Sequence, residues 1–111
     1  MLLVLGGLGL HLRRRNLAAE KDQIRQLVRI VLARLKEQAR KSRDPTGASQ
    51  SYLIADYLRD EMLQDEHSLA IRQHIWKKVA RIVQGNANVR TSLEETEEGE
   101  ETQVWRWMGA L

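Results

Sequence analysis

Residues 71–108 read IRQHIWKKVARIVQGNANVRTSLEETEEGEETQVWRWM, and the change of period within them decides the fold. Ile71, Ile75, Trp76, Val79, Ile82 and Val83 recur at three- and four-residue steps, which places them on one face of a helix. Lys77, Lys78 and Arg81 fall on the opposite face, toward water or a partner. Gly85 and Asn86 end the helix, since both accept the left-handed conformation of a C-terminal cap. Beyond them the period drops to two. Val89, Thr91 and Leu93 alternate with Arg90 and Ser92, and Trp105 and Trp107 alternate with Val104, Arg106 and Met108. Between the two runs, residues 94–101 form a glycine-containing acidic loop that turns the chain back. A helix followed by a long-looped hairpin is the second half of a winged helix. The expected fold class is therefore α+β: three helices followed by a β-hairpin wing.

Upstream segments supply the other two helices. Residues 16–42 form the longest periodic run, with Leu17, Ile24, Leu27, Val28, Val31, Leu32 and Leu35 in one stripe and Arg25, Arg29, Lys36 and Arg40 around it. Neither Gly nor Pro interrupts the run, and its Ala, Leu, Arg, Lys and Gln residues are good helix formers. Asn16 is the expected N-cap, with Glu20 and Asp22 suiting the positive pole of the helix. The run can be one continuous stalk; three heptads of stripe make a coiled coil the weaker reading. Asp44-Pro45-Thr46-Gly47 reads as a turn. Ser49 or Ser51 then caps a second helix ending near Leu63, with Ile54, Tyr57, Leu58 and Met62 on one face, and Asp65 or Ser68 caps the third.

The chain starts MLLVLGGLGLHL and closes that run with Arg13-Arg14-Arg15. About ten apolar residues span ~15 Å as a helix, half of a ~30 Å hydrocarbon core, so they do not cross a bilayer alone. A signal peptide would place its charges first. Apolar residues followed by arginines match the last turns of a transmembrane helix leaving on the positive-inside face; a start without fixed structure is the competing reading. The expected division is 1–15, an apolar remnant of a transmembrane helix with its basic flank, and 16–111, the winged-helix domain.

Composition bounds the rest. A chain of 111 residues has room for one small domain, which buries roughly 60–70% of its unfolded surface. There is no Cys, which removes disulfides and thiolate metal sites, and no Phe, which leaves three Trp and two Tyr as the large core fillers. The net charge of +3 is uneven: residues 1–50 carry eleven Lys/Arg against four Asp/Glu, and residues 51–111 carry seven against eleven. The N-terminal part is therefore suited to an anionic surface, membrane or nucleic acid.

Catalytic patterns are lacking. His67 and His74 are seven residues apart, and pairing them with Asp65 or Glu66 as a metal site is weaker than reading them as exposed polar side chains. No serine sits in a strand-to-helix nucleophile turn, and Gly6-Gly7-Leu8-Gly9 does not follow a strand. Glu94, Glu95, Glu97, Glu98, Glu100 and Glu101 lack the spacing of a calcium loop. The expectation is a non-enzymatic protein without a cofactor.

Binding features remain. Lys77, Lys78 and Arg81, with Arg90 beyond the helix, match what major-groove readers present to phosphates and base edges. A wing with six glutamates counts against ordinary winged-helix DNA binding, because phosphates repel it. Trp105 and Trp107 resemble a stacking platform for single strands, but their common face opposite Arg106 marks them as core.

Taken together, Trp76 and Val79, Asn86-Ala87-Asn88-Val89-Arg90, Gly99-Glu100 and Val104-Trp105-Arg106-Trp107-Met108-Gly109 resemble a known family, and Leu58-Arg59-Asp60 matches as well. It is the nucleoplasmic C-terminal domain, MAN/Src-type or MSC, of LEM-family inner nuclear membrane proteins. The resemblance covers about residues 16–109. It implies a winged helix that follows a transmembrane segment on the nucleoplasmic face of the inner nuclear membrane. It also implies recruitment of an ESCRT-III-type adaptor that maintains the nuclear envelope, and contact with chromatin or DNA; anchoring chromatin by DNA binding is the alternative principal role. The family's LEM domain, lumenal domain, first membrane span and RNA-recognition-type domain are missing, so the chain is expected to be a C-terminal fragment or a shortened product. The membrane is reached through the N-terminal apolar segment. The basic residues Lys77, Lys78, Arg81 and Arg90 and the six glutamates of the loop are the expected partner sites.

Overall fold

A computed structural model describes residues 2–43 and 50–111, with side chains described from Leu17 onward in the first helix. The elements run α1 (Leu2–Ser42), β1 (Tyr52–Ile54), α2 (Ala55–Met62), α3 (Leu69–Gln84), β2 (Val89–Glu95) and β3 (Glu101–Trp107). The fold is α+β: three helices and one antiparallel sheet in the order β1-β3-β2.

The first helix is a single rod. Asn16, expected as its cap, lies inside it, because a helix already propagating on both sides makes a non-helical residue there unfavourable. Ile24, Leu27, Val31, Leu35 and Ala39 form its buried stripe, with Val28 and Leu32 packed at the edge. Leu17, expected in that stripe, is 49% exposed, at the end of the domain beside the first turns of α3. The side chains of residues 1–16 lie outside the described residues, as do the turn expected at residues 44–47 and Ser49. Among the described residues no helix is long and apolar enough to cross a membrane.

A short strand replaces the start of the expected second helix. Tyr52, Leu53 and Ile54 pair antiparallel with Arg106, Trp105 and Val104. Aromatic and β-branched residues suit a strand, and β3 would otherwise carry an unpaired edge beside the core. The helix therefore starts at Ala55, with Ile54 as an extended N-cap residue that makes no side-chain cap bond. Ser51 is not the cap; its hydroxyl accepts from Arg106 Nε at 3.4 Å. Ala55, Leu58 and Leu63 are buried, whereas Tyr57 is 68% exposed, off the face expected for it.

In α3, Ser68 is the cap of the two candidates: its Oγ accepts from the Ile71 N–H at 3.3 Å. Ile75, Trp76, Val79 and Val83 are buried, and Ile71 and Ile82 sit on the exposed flank. The end of this helix differs from the expectation. Gly85 is right-handed (φ −76°) and Asn86 does not have positive φ. The turn is made instead by hydrogen bonds, Asn86 N–H to Val83 O (3.1 Å) and Asn88 N–H to Asn86 Oδ1 (2.9 Å), an Asx turn that needs no left-handed residue.

The hairpin is longer and its loop shorter than expected. Glu94 pairs with Thr102 and Glu95 with Glu101, so these glutamates are strand residues and only Thr96–Glu100 form the loop. Charged residues extend a ladder readily where their side chains reach water. Gly99, at φ +85°, closes the turn: its N–H donates to Thr96 O at 2.9 Å, and Thr96 N–H donates to Glu100 O at 2.7 Å. As the middle strand, β3 buries both faces at its centre. Trp105 faces the helices, and Val104, expected on the outer side, is also fully buried. Trp107 is only half-buried, and Leu93 is exposed.

Candidate functional site

Two oppositely charged surfaces stand out. On α3, Lys77, Lys78 and Arg81 are exposed, on the side away from the buried stripe. They are not equivalent. Glu20 of α1 lies 3.6 Å from Lys78 Nζ and 2.6 Å from His74 Nε2, so Lys78 is partly neutralised and His74 is a polar tie between helices. Among the described residues Lys77 and Arg81 have no ion-pair partner. Arg90 does not join this face; it lies on β2 in register with Arg106 of β3. Among the described residues no cluster of His, Asp and Glu is placed to hold a metal ion.

The second surface is the acidic wing, which extends from the outer face of the sheet. By the two-residue alternation, Arg90, Ser92, Glu94, Thr102, Val104 and Arg106 share that outer face with Tyr52 and Ile54. Arg106 lies across its centre. Its Nη1 donates to Ser92 Oγ at 2.7 Å, its Nη2 to Glu94 Oε1 at 2.8 Å, and its guanidinium carbon is 5.0 Å from the Tyr52 ring centroid. Spread in this way, the aliphatic stem and planar head shield Val104 from water. Glu94 is thereby committed within the fold.

Glu95, Glu97, Glu98, Glu100 and Glu101 are exposed and have no ion-pair partner among the described residues. Beside the wing, Tyr52, Ile54, Tyr57, Thr102, Glu98 and Glu100 line an open groove of about 380 Å³. A cation or a basic strip entering there would meet carboxylates and two tyrosine rings. Little in the sequence hints at this groove. Tyr57 has the helical spacing of a core residue, and Arg106 reads only as the residue opposite two tryptophans.

Comparison with known proteins agrees with the motifs around Trp76, Asn86–Arg90 and Val104–Gly109. Residues 1–110 match the family described as Man1-Src1p-C-terminal domain. Inner nuclear membrane protein SRC1 of Saccharomyces cerevisiae (strain ATCC 204508 / S288c) is 30% identical over 104 residues. The aligned part is 92% of this chain and 12% of that protein, so the chain spans a small part of its relative's length. No solved structure matches. Localisation at the inner nuclear membrane is consistent with this relationship. With the match running over nearly every residue, the chain belongs to the Man1-Src1p-C-terminal domain family.

Proposed function

We propose that the chain is a non-enzymatic winged-helix module on the nucleoplasmic face of the inner nuclear membrane. Its principal role in this reading is to recruit an ESCRT-III-type adaptor for nuclear envelope maintenance, using the acidic wing and the groove beside it. The observation that carries this is the set of exposed glutamates, Glu95, Glu97, Glu98, Glu100 and Glu101, left without ionic partners among the described residues; all but Glu101 line the groove with Tyr52 and Tyr57. Such a surface is complementary to a basic segment of a protein and repels phosphate. The winged-helix description rests on the order of three helices and hairpin, with β1 completing the sheet.

Chromatin or DNA contact is the second activity, weak and largely independent of sequence, through Lys77, Lys78 and Arg81 with Arg90 nearby in sequence. Lys77 and Arg81, unpaired among the described residues, and Lys78, shared with Glu20, make a small phosphate footprint. The N-terminal apolar segment holds the module at the membrane. A capture experiment tests the ranking. The immobilised chain, incubated with nuclear extract before and after nuclease digestion, is expected to retain an ESCRT-III-type adaptor in both cases. Loss of the adaptor on digestion would make DNA the primary ligand.

A further inference from the structure

The domain end nearest the start of α1 carries apolar side chains that the core does not use. Leu17 and Ile71 are 49% and 46% exposed and, with Ile75, line an open groove of about 450 Å³ between α1 and α3. Leu69, the first residue of α3, is 70% exposed. The two helices run in the same direction: Glu20 meets His74 and Lys78, and farther along Val28 and Leu32 line a groove with Ile82. The first turn of α3 therefore sits level with Leu17. Leu17 is only two residues beyond Arg15, about 3 Å along the helix axis.

We propose that Leu17, Leu69 and Ile71 form a membrane-facing end of the domain that enters the headgroup interface of an anionic bilayer. This rests on the reading that residues 1–15 attach the chain to the membrane. Continuity along one helix then fixes the height of this end, since interfacial side chains bury about 5–10 Å into the headgroup boundary. The local charge suits an anionic surface. Arg13, Arg14, Arg15 and Lys21 adjoin this end in sequence, and the first turn of α3 has no acidic residue. Of the carboxylates at this end, Glu20 is engaged by His74 and Lys78, Asp22 by Arg25, and Glu66 by the Ser68 N–H; Asp65 remains exposed. A second attachment point beside the apolar segment strengthens the anchoring. It also removes the freedom of the domain to swing about its stalk.

The absence of Cys allows single-site labelling of the full chain. Leu17→Cys, Leu69→Cys and Ile71→Cys, with Glu37→Cys about 30 Å higher along α1 as a reference, are labelled with an environment-sensitive fluorophore. They are then titrated with vesicles of phosphatidylcholine containing phosphatidylserine. Labels at 17, 69 and 71 are expected to shift blue and to be quenched by spin-labelled lipids, while the label at 37 stays as in buffer. Leu69→Glu with Ile71→Glu should weaken vesicle binding at least about tenfold. If the chain sediments with vesicles but labels 69 and 71 remain unquenched, the inference is overturned while the anchoring stands. If the chain does not sediment at all, the anchoring itself fails. A blue shift that appears without vesicles and grows with protein concentration assigns this end to a second copy instead, and likewise overturns the inference.

Discussion

The indole of Trp105 stacks on that of Trp76, with ring centroids 5.6 Å apart and planes inclined by 19°, and this pair joins the sheet to α3. Trp105 is fully buried and its indole N–H has no hydrogen-bond partner among the described residues. Trp105→Ala should cost ~3–5 kcal/mol, a large share of the ~5–15 kcal/mol that stabilises an ordinary domain. Trp105→Phe keeps a stacked ring and removes the unsatisfied donor, so it should cost clearly less. Urea unfolding followed by circular dichroism measures both. Equal destabilisation by the two variants would mean that the stacked ring contributes nothing beyond what Phe fails to fill.

The wing makes a contrasting prediction within one loop. Gly99→Ala forces a side chain into the left-handed region at φ +85° and should destabilise by about 1 kcal/mol. Glu97→Lys and Glu98→Lys, in the same exposed turn, should stay within about 0.5 kcal/mol of the parent. Thermal unfolding of the three variants side by side separates conformational strain from charge. A larger drop for the lysine variants than for Gly99→Ala would show that the glutamates are structural.

Arg106 offers a third test. Replacing it with Met keeps the stem over Val104 but removes the interactions with Ser92, Glu94 and the Tyr52 ring. The expected cost is about 1–2 kcal/mol, between an exposed and a buried charged hydrogen-bond network. Glu94→Gln should cost less, because the bonds to Ser92 and the ring survive. A double-mutant cycle in urea reads their coupling, and a coupling near zero would dismiss the network.

For the basic face, the salt dependence of duplex binding is the informative quantity. Replacing Lys77, Lys78 and Arg81 with Ala should lower the log–log slope by about 0.9 for each phosphate that the variant no longer neutralises. Because Glu20 shares Lys78, Lys78→Ala alone should change the slope least. An unchanged slope in the triple variant would place the DNA interface elsewhere.

Much of this fold is readable because its long elements carry clear periods. The stripe from Ile24 to Leu35 and the alternation around Trp105 predict helix and strand from spacing alone. Three residues cannot show a period, so Tyr52–Ile54 read as the beginning of a helix, although β3 needs a partner on that edge. Alternation also assumes one wet face, and it fails at Val104 because Arg106 covers the outer side of the middle strand. The glutamates are recognisable as an exposed acidic group, but the pairing of Glu94 with Arg106 depends on the hairpin register, which the loop length conceals. The groove beside Tyr57 is created where β1, α2 and the hairpin meet, and no local pattern announces it.

If the wing serves a protein partner and opposes DNA, neutralising it must affect the two ligands in opposite ways. The most direct measurement is equilibrium binding of a purified ESCRT-III-type adaptor and of a DNA duplex to a single variant at fixed salt. In that variant Glu95, Glu97, Glu98, Glu100 and Glu101 are replaced by Gln. Opposite signs are expected: the adaptor binds more weakly, and the duplex binds more tightly because repulsion is relieved. Unchanged adaptor affinity together with unchanged duplex affinity would contradict the assignment of the wing.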